Sequence, residues 1–170
     1  MKISELMSGK TPQPDYKGLM VADNYVLALD LTDGENTEVD DYTVIRIGIQ
    51  GLDPQLNAQT QDYTFMGNGT TTVKSGQQRS FAVTGIRYTG DEAQDFMTQH
   101  SIMFGLGSEV MRPYVYFNIL TGKGEQGTAS IIVNSDGGGN ASEGAAISVD
   151  VKQALTVPTE YSYTSKPTSL

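Results

Sequence analysis

Apolar and polar residues alternate along much of this chain, in short runs broken by glycine and asparagine. From Tyr25 to Leu31, Tyr25, Leu27, Leu29 and Leu31 share one face, the period-two pattern of a half-buried strand. Thr43 to Ile49 repeats the pattern, with Ile45, Ile47 and Ile49 inward and Val44, Arg46 and Gly48 opposite. Arg79 to Tyr88 is rich in β-formers and predicts a third strand. Tyr114 to Leu120 places Val115, Phe117 and Ile119 inward, and Thr128 to Val133 returns beside it. A last strand runs from Ile147 to about Leu155, with Ile147, Val149 and Val151 set against Ser148, Asp150 and Lys152. In one stretch the period changes. Ala93, Phe96, Met97, His100 and Phe104 recur at three- and four-residue spacing, which predicts a helix from Asp91 to about Phe104. Asp91, Glu92 and Asp95 suit the positive end of its dipole, and Gly105 and Gly107 end it.

The segments between these elements are long and polar. Residues 1–20 hold Gly9, Pro12, Pro14 and Gly18 with little periodicity, and read as an extended N-terminal arm. Residues 158–170 have the composition of a loose C-terminal arm. Residues 50–76 carry only one apolar island, Tyr63-Thr64-Phe65-Met66. A connection of that length is uncommon in a compact unit unless it has a task, so a protruding loop or hairpin is expected. Thr121 to Gly127 reads as a hairpin loop, and Ser135 to Gly144 as a glycine-rich loop. The fold expected is mainly β: a single unit over 1–170, a β-sandwich or barrel of two packed sheets with one flanking α-helix, a long loop and two arms.

Composition narrows the function. The chain has 170 residues, no cysteine, and a formal charge of −9 from 20 acidic and 11 basic residues. A chain of this length can bury roughly 70% of the surface its unfolded form exposes, enough for a core without staples. The absence of cysteine removes disulfides, thiolate nucleophiles and Cys-based metal sites. The acidic balance opposes stable binding to nucleic acid and to anionic membranes. No apolar run is long enough for a signal peptide or a membrane span, so folding in a cytoplasm is expected.

Each candidate for chemistry has a simpler structural account. Gly122-Lys123-Gly124-Glu125-Gln126-Gly127 matches the dinucleotide pattern G-x-G-x-x-G, which needs a helix after it to hold the pyrophosphate. Ala129 to Val133 follows instead, so these glycines are assigned to a hairpin turn. His100 is the only histidine, and a triad or zinc site would have to be built on it. Its neighbours Phe96, Met97 and Phe104 make it a packed or helix-end residue. Six carboxylates lie between Asp30 and Asp41. Aligned on Gly34, a calcium loop would have Leu29 and Leu31 as ligands, so the run is assigned to a solvated loop. Asn68-Gly69-Thr70 and Asn140-Ala141-Ser142 fit the glycosylation pattern and are read as loop residues. Asp91, Glu92 and Asp95 are explained by capping, and no tryptophan is present to stack on a sugar. No catalytic, cofactor or metal site is expected.

The stretch Arg79-Ser80-Phe81-Ala82-Val83-Thr84-Gly85-Ile86-Arg87-Tyr88-Thr89-Gly90-Asp91-Glu92-Ala93-Gln94-Asp95-Phe96 resembles the strand, Gly-Asp and helix segment of major tail proteins, the tail tube subunits of long-tailed phages. The layout around it fits as well. The resemblance implies a self-associating subunit, with rings, usually hexameric, stacked into a hollow conduit through which DNA passes into a host bacterium without specific binding. It implies tape-measure, tail-tip and tail-terminator proteins as further partners, a place in the virion tail, assembly in the host cytoplasm, and no membrane. In that setting Tyr63, Thr64, Phe65 and Met66 are the expected contacts between rings. The alternative from another class is a ligand- or carbohydrate-binding β-sandwich module of a virion or cell surface, kept open by nine tyrosines.

Overall fold

The structure is a computed structural model that describes residues 1–164. Its strands are β1 (Tyr25–Leu29), β2 (Thr43–Val44), β3 (Ile49–Gln55), β4 (Gln59–Phe65), β5 (Gly69–Gly76), β6 (Ser80–Ile86), β7 (Met111–Asn118), β8 (Lys123–Gly138) and β9 (Ala146–Ser162). Its α-helices are short: α1 (Ile3–Leu6), α2 (Glu92–Met97) and α3 (His100–Met103). Seven strands form one antiparallel sheet in the order β2-β1-β7-β8-β9-β6-β3, and β4 and β5 form a second sheet by themselves. The fold is thus mainly β, as the alternating pattern predicts.

The large sheet supplies both layers of its own core. β8 and β9 have 16 and 17 residues, and their pairing shifts register at Gln126/Thr128, Val133/Ser135 and Asp136/Gly138. Bulges of this kind increase the local bend and twist. β9 pairs with β8 along its length, but with β6 only over Ala146–Lys152. The sheet curls far enough to lay β6 against β7, three places away in strand order. The Phe81 ring lies 5.5 Å from Tyr114 and 4.8 Å from Tyr116. The enclosed core includes Leu27, Leu29, Phe81, Val83, Tyr114, Tyr116, Ile131, Val149 and Val151, closed by Ala93, Met97 and Ile102 from α2 and α3.

The other face of β1 and β7 is also covered. Ile3 and Met7 pack there against Val26, Ala28, Val44, Val115 and Phe117. This corrects two expectations. The first residues of the chain are a helical turn docked on the sheet, not an extended arm: Ile3, Leu6 and Met7 stand three and four positions apart, a helical spacing too short to register as a period. Val115 and Phe117 face this second cluster, while Tyr114 and Tyr116 face the main core. Alternation distinguishes two faces, but cannot rank them when both are buried.

Two further expectations change. The strand expected over Thr43–Ile49 is interrupted. Ile45 is buried, but the chain turns at Gly48, whose φ is +75°. A Cβ there would stand 2.6 Å from the Gln94 side chain and 2.6 Å from the Ile86 carbonyl, so glycine lets this turn sit beneath α2. The single helix expected over Asp91–Phe104 is two pieces. Thr98 Oγ1 bonds back to the Gln94 carbonyl at 2.8 Å, a contact that bends helices, and Phe104 ends largely exposed.

The segments expected to be loops are more ordered than their composition implies. Within residues 50–76, the first part continues β3 in the large sheet, and the rest is the β4–β5 hairpin. β9 extends through residues 158–162, so that part of the expected C-terminal arm is strand; residues 165–170 lie outside the described residues. Tyr161 and Tyr163 hold the end of this strand against Phe117, at 5.7 and 5.9 Å between ring centroids.

Candidate assembly surface

The β4–β5 hairpin projects from the body as a ribbon without a core. Every residue of β4 is exposed, and so is every residue of β5 except Gly76, which is half-buried. Pairing runs from Gln59–Gly76 to Phe65–Gly69, and Gly67 and Gly69 supply the positive φ angles of the tip. The alternation of a strand sorts its side chains into two faces. One carries Tyr63, Phe65 and, opposite Gln61, Val73. The Tyr63 and Phe65 rings stack 6.3 Å apart, with 46% and 52% of their surface exposed. The other face is polar: Thr64 Oγ1 lies 3.1 Å from Thr70 Oγ1, and Thr72 donates to Asp62 at 2.7 Å.

The four residues of the apolar island therefore do not act as one patch. Tyr63 and Phe65 share a face, Thr64 points to the other, and Met66 sits at the tip, completely exposed. Val73 joins the aromatic pair from β5. Its signal in the sequence was a single apolar residue in Thr-Thr-Thr-Val-Lys, visible only once the cross-strand register is known. A lone two-stranded hairpin is marginally stable in water, and an apolar face of this kind gains stability from a partner.

The base of the hairpin is tied firmly to the body. Arg79 forms an ion pair with Glu125 at 2.6 Å, and its guanidinium lies 4.8 Å from the Phe81 ring centre and 5.1 Å from that of Tyr116. Burial pushes the Tyr116 hydroxyl up to about 12, against an opposing pull from Arg79. Burial also raises the Tyr114 and Tyr161 hydroxyls above the ordinary phenol range.

The residues weighed for chemistry take structural places. Asp91 caps α2 by accepting the Gln94 amide at 3.1 Å. Asp95 binds Arg87 at 2.6 Å, which holds its carboxyl below the usual range. His100 opens α3 at the surface, its ring 4.8 Å from Phe104. Gly122 lies in the β7–β8 turn, and strand β8 follows where a dinucleotide site needs a helix. Other exposed apolar residues include Leu19, Val21, Phe104, Leu106, Leu155 and Val157.

No protein-family model matches this chain, and no curated protein matches it. Solved structures do. A chain from the tail of an empty gene transfer agent particle, refined helically with C6 symmetry, superposes with a TM-score of 0.61 at 17% identity, over 85% of this chain and all of that one. A chain from the virion of the native gene transfer agent particle gives 0.58 at 16%, with the same coverage. A chain from the tube-terminating cap of the anti-feeding prophage gives 0.52 at 9%, over 87% and 94%. This chain shares its fold with chains from the tail and the virion of gene transfer agent particles and from a tube-terminating cap.

Proposed function

We propose that this chain is a tail tube subunit, a structural virion protein that polymerises as stacked sixfold rings into a conduit for DNA. One observation carries the reading: a fold shared with a chain of a C6-symmetric tail bears a coreless hairpin whose apolar face is open to solvent. The hairpin meets a neighbouring ring through Tyr63, Phe65, Val73 and the tip residue Met66, while Thr64 lies at the edge of that contact. An unpaired sheet edge, which a monomer would have to protect, serves ring closure: among the described residues β3 pairs only with β6, whereas the edge of β2 is covered by the chain start through the Lys2–Thr43 bridge. The whole chain, 1–170, works as one unit, and its role is structural and not catalytic.

The charge suits the conduit. A ring of six carries six times −9, and a net negative tube offers DNA few of the cationic contacts that release counterions. DNA would pass without specific binding. The partners are further copies of the chain and the tape-measure, tail-tip and tail-terminator proteins of a virion tail, with no membrane involved. Electron microscopy of the concentrated purified protein tests the reading. Rings or tubes with sixfold symmetry are expected. A protein that stays monomeric at high concentration, or that forms only irregular aggregates, would overturn it.

A further inference from the structure

We infer that Asn57 sets the direction in which the β4–β5 hairpin leaves the body, an inference that rests on the assembly role proposed for that hairpin. Pairing of β3 with β6 ends at Gln55–Ser80, and pairing of β4 with β5 begins at Gln59–Gly76. Residues 56–58 on one leg and 77–79 on the other join the two sheets. Because the hairpin is exposed on both faces, this neck determines its orientation.

One main-chain hydrogen bond crosses the neck, from the Gln78 amide to the Leu56 carbonyl at 2.9 Å. Asn57 supplies the rest. Its Nδ2 donates to the Gln78 carbonyl at 3.0 Å and to Ser80 Oγ at 2.8 Å. Its φ is +49°, in the left-handed region that asparagine tolerates better than most residues with a side chain. This position therefore demands two properties at once, a left-handed backbone and a short side chain that donates. Glycine has only the first. Aspartate adopts the backbone but, ionised, cannot donate to the Gln78 carbonyl and can only accept from the Ser80 hydroxyl.

The second leg is itself anchored. The Arg79 amide donates to Gln153 Oε1 at 3.0 Å, the Gln153 amide returns a bond to the Arg79 carbonyl at 2.8 Å, and Gln78 Nε2 reaches the Gln153 carbonyl at 3.3 Å. Asn57 thus couples the free leg to one that is bonded to β9. For a contact made by the far end of a ribbon, direction matters: a hairpin that swings must be ordered at each addition of a subunit, and that ordering weakens association.

The test compares Asn57→Gly and Asn57→Asp with the wild type. Residual dipolar couplings on dilute subunits compare the hairpin with the body. In the wild type one alignment tensor is expected to fit both. In both variants the hairpin couplings are expected to shrink and depart from the body's tensor. In Asn57→Gly the Gln78 amide is expected to exchange about tenfold faster, the loss of order that two neutral hydrogen bonds support. Melting temperature and body couplings stay as in the wild type. If the Asn57→Gly hairpin still fits the body's tensor, the inference is overturned. Electron microscopy then reads the consequence: variant tubes are expected to be fewer and shorter, and wild-type yields from both variants would overturn the link to assembly. The couplings need no polymer. A wild-type chain that never forms tubes therefore overturns the assembly role and leaves the Asn57 result intact.

Discussion

Gln94 shows how much one side chain can join. It is fully buried, and its amide meets four main-chain or side-chain groups from two segments of the chain. Nε2 donates to the Ile47 carbonyl at 2.7 Å and the Ile86 carbonyl at 3.1 Å. Oε1 accepts from the Tyr88 amide at 2.8 Å and from Arg87 at 3.5 Å. Replacing it strands buried polar groups, each costing on the order of 1–3 kcal/mol. Gln94→Ala is expected to destabilise the fold by about 3 kcal/mol, read as a lower urea midpoint with an unchanged slope. A loss below about 1 kcal/mol would show that water replaces the amide without difficulty. In the sequence Gln94 is one polar residue on a helix that has several. Its partners lie at positions 47 and 86–88, and nothing along the chain shows that those loops close over it.

At the level of elements, the hairpin lets the proposed assembly role be tested apart from folding. Its apolar side chains contribute to no core, so charging them should leave the body alone. The double variant Tyr63→Asp with Phe65→Asp is expected to shift stability by no more than about 0.5 kcal/mol, as surface substitutions usually do. It should also abolish tubes in electron micrographs. Tubes in normal yield would place the contact elsewhere, and a large loss of stability would mean that the hairpin packs on its own body. The island Tyr63 to Met66 was legible as an apolar run in a polar stretch. Its division between two faces was not, because strand alternation applies only where a strand exists, and the glycines and asparagines around it read equally well as loop. β3 was hidden for a related reason: Gln50-Gly51-Leu52-Asp53-Pro54 lacks the apolar alternation of a strand buried on one face. It is an edge strand, where Pro54 needs no partner for a missing amide.

The molecule as a whole titrates in a characteristic way at high pH. Tyr116 has an ordinary value of 10.0 and is pushed up to about 12 in the folded state by burial. The folded state therefore holds this proton more tightly than the unfolded chain. Its contribution to stability is complete below pH 10 and is lost as pH rises toward about 12. Tyr114 and Tyr161 shift in the same direction for the same reason. The urea midpoint is expected to fall across that window, and Tyr116→Phe, which keeps the ring against Phe81 and Tyr25, should make the fall shallower. An identical fall in the variant would assign the effect to other groups. The tyrosines that kept a sugar-binding reading open thus divide by place. Tyr114 and Tyr116 are core residues, Tyr161 packs on the second cluster, and Tyr63 faces solvent on the hairpin.

The sequence by itself determined the β class, the positions of most strands, the capped turn at Asp91 and the place of an apolar island in a polar stretch. These are local properties, set by side-chain period, by glycine, and by residues within a turn of one another. Tertiary structure decided everything that depends on which surfaces meet. It made one sheet curl to supply both layers of the core. It docked Ile3 and Met7 on the far side of β1, and it placed Tyr114 and Tyr116 inward where Val115 and Phe117 read as inward along the chain. It also turned residues 59–76 into a ribbon with an apolar face, held at its base by Asn57. Burial is a property of pairs of surfaces, and a single strand carries no record of which of its two faces finds the larger partner.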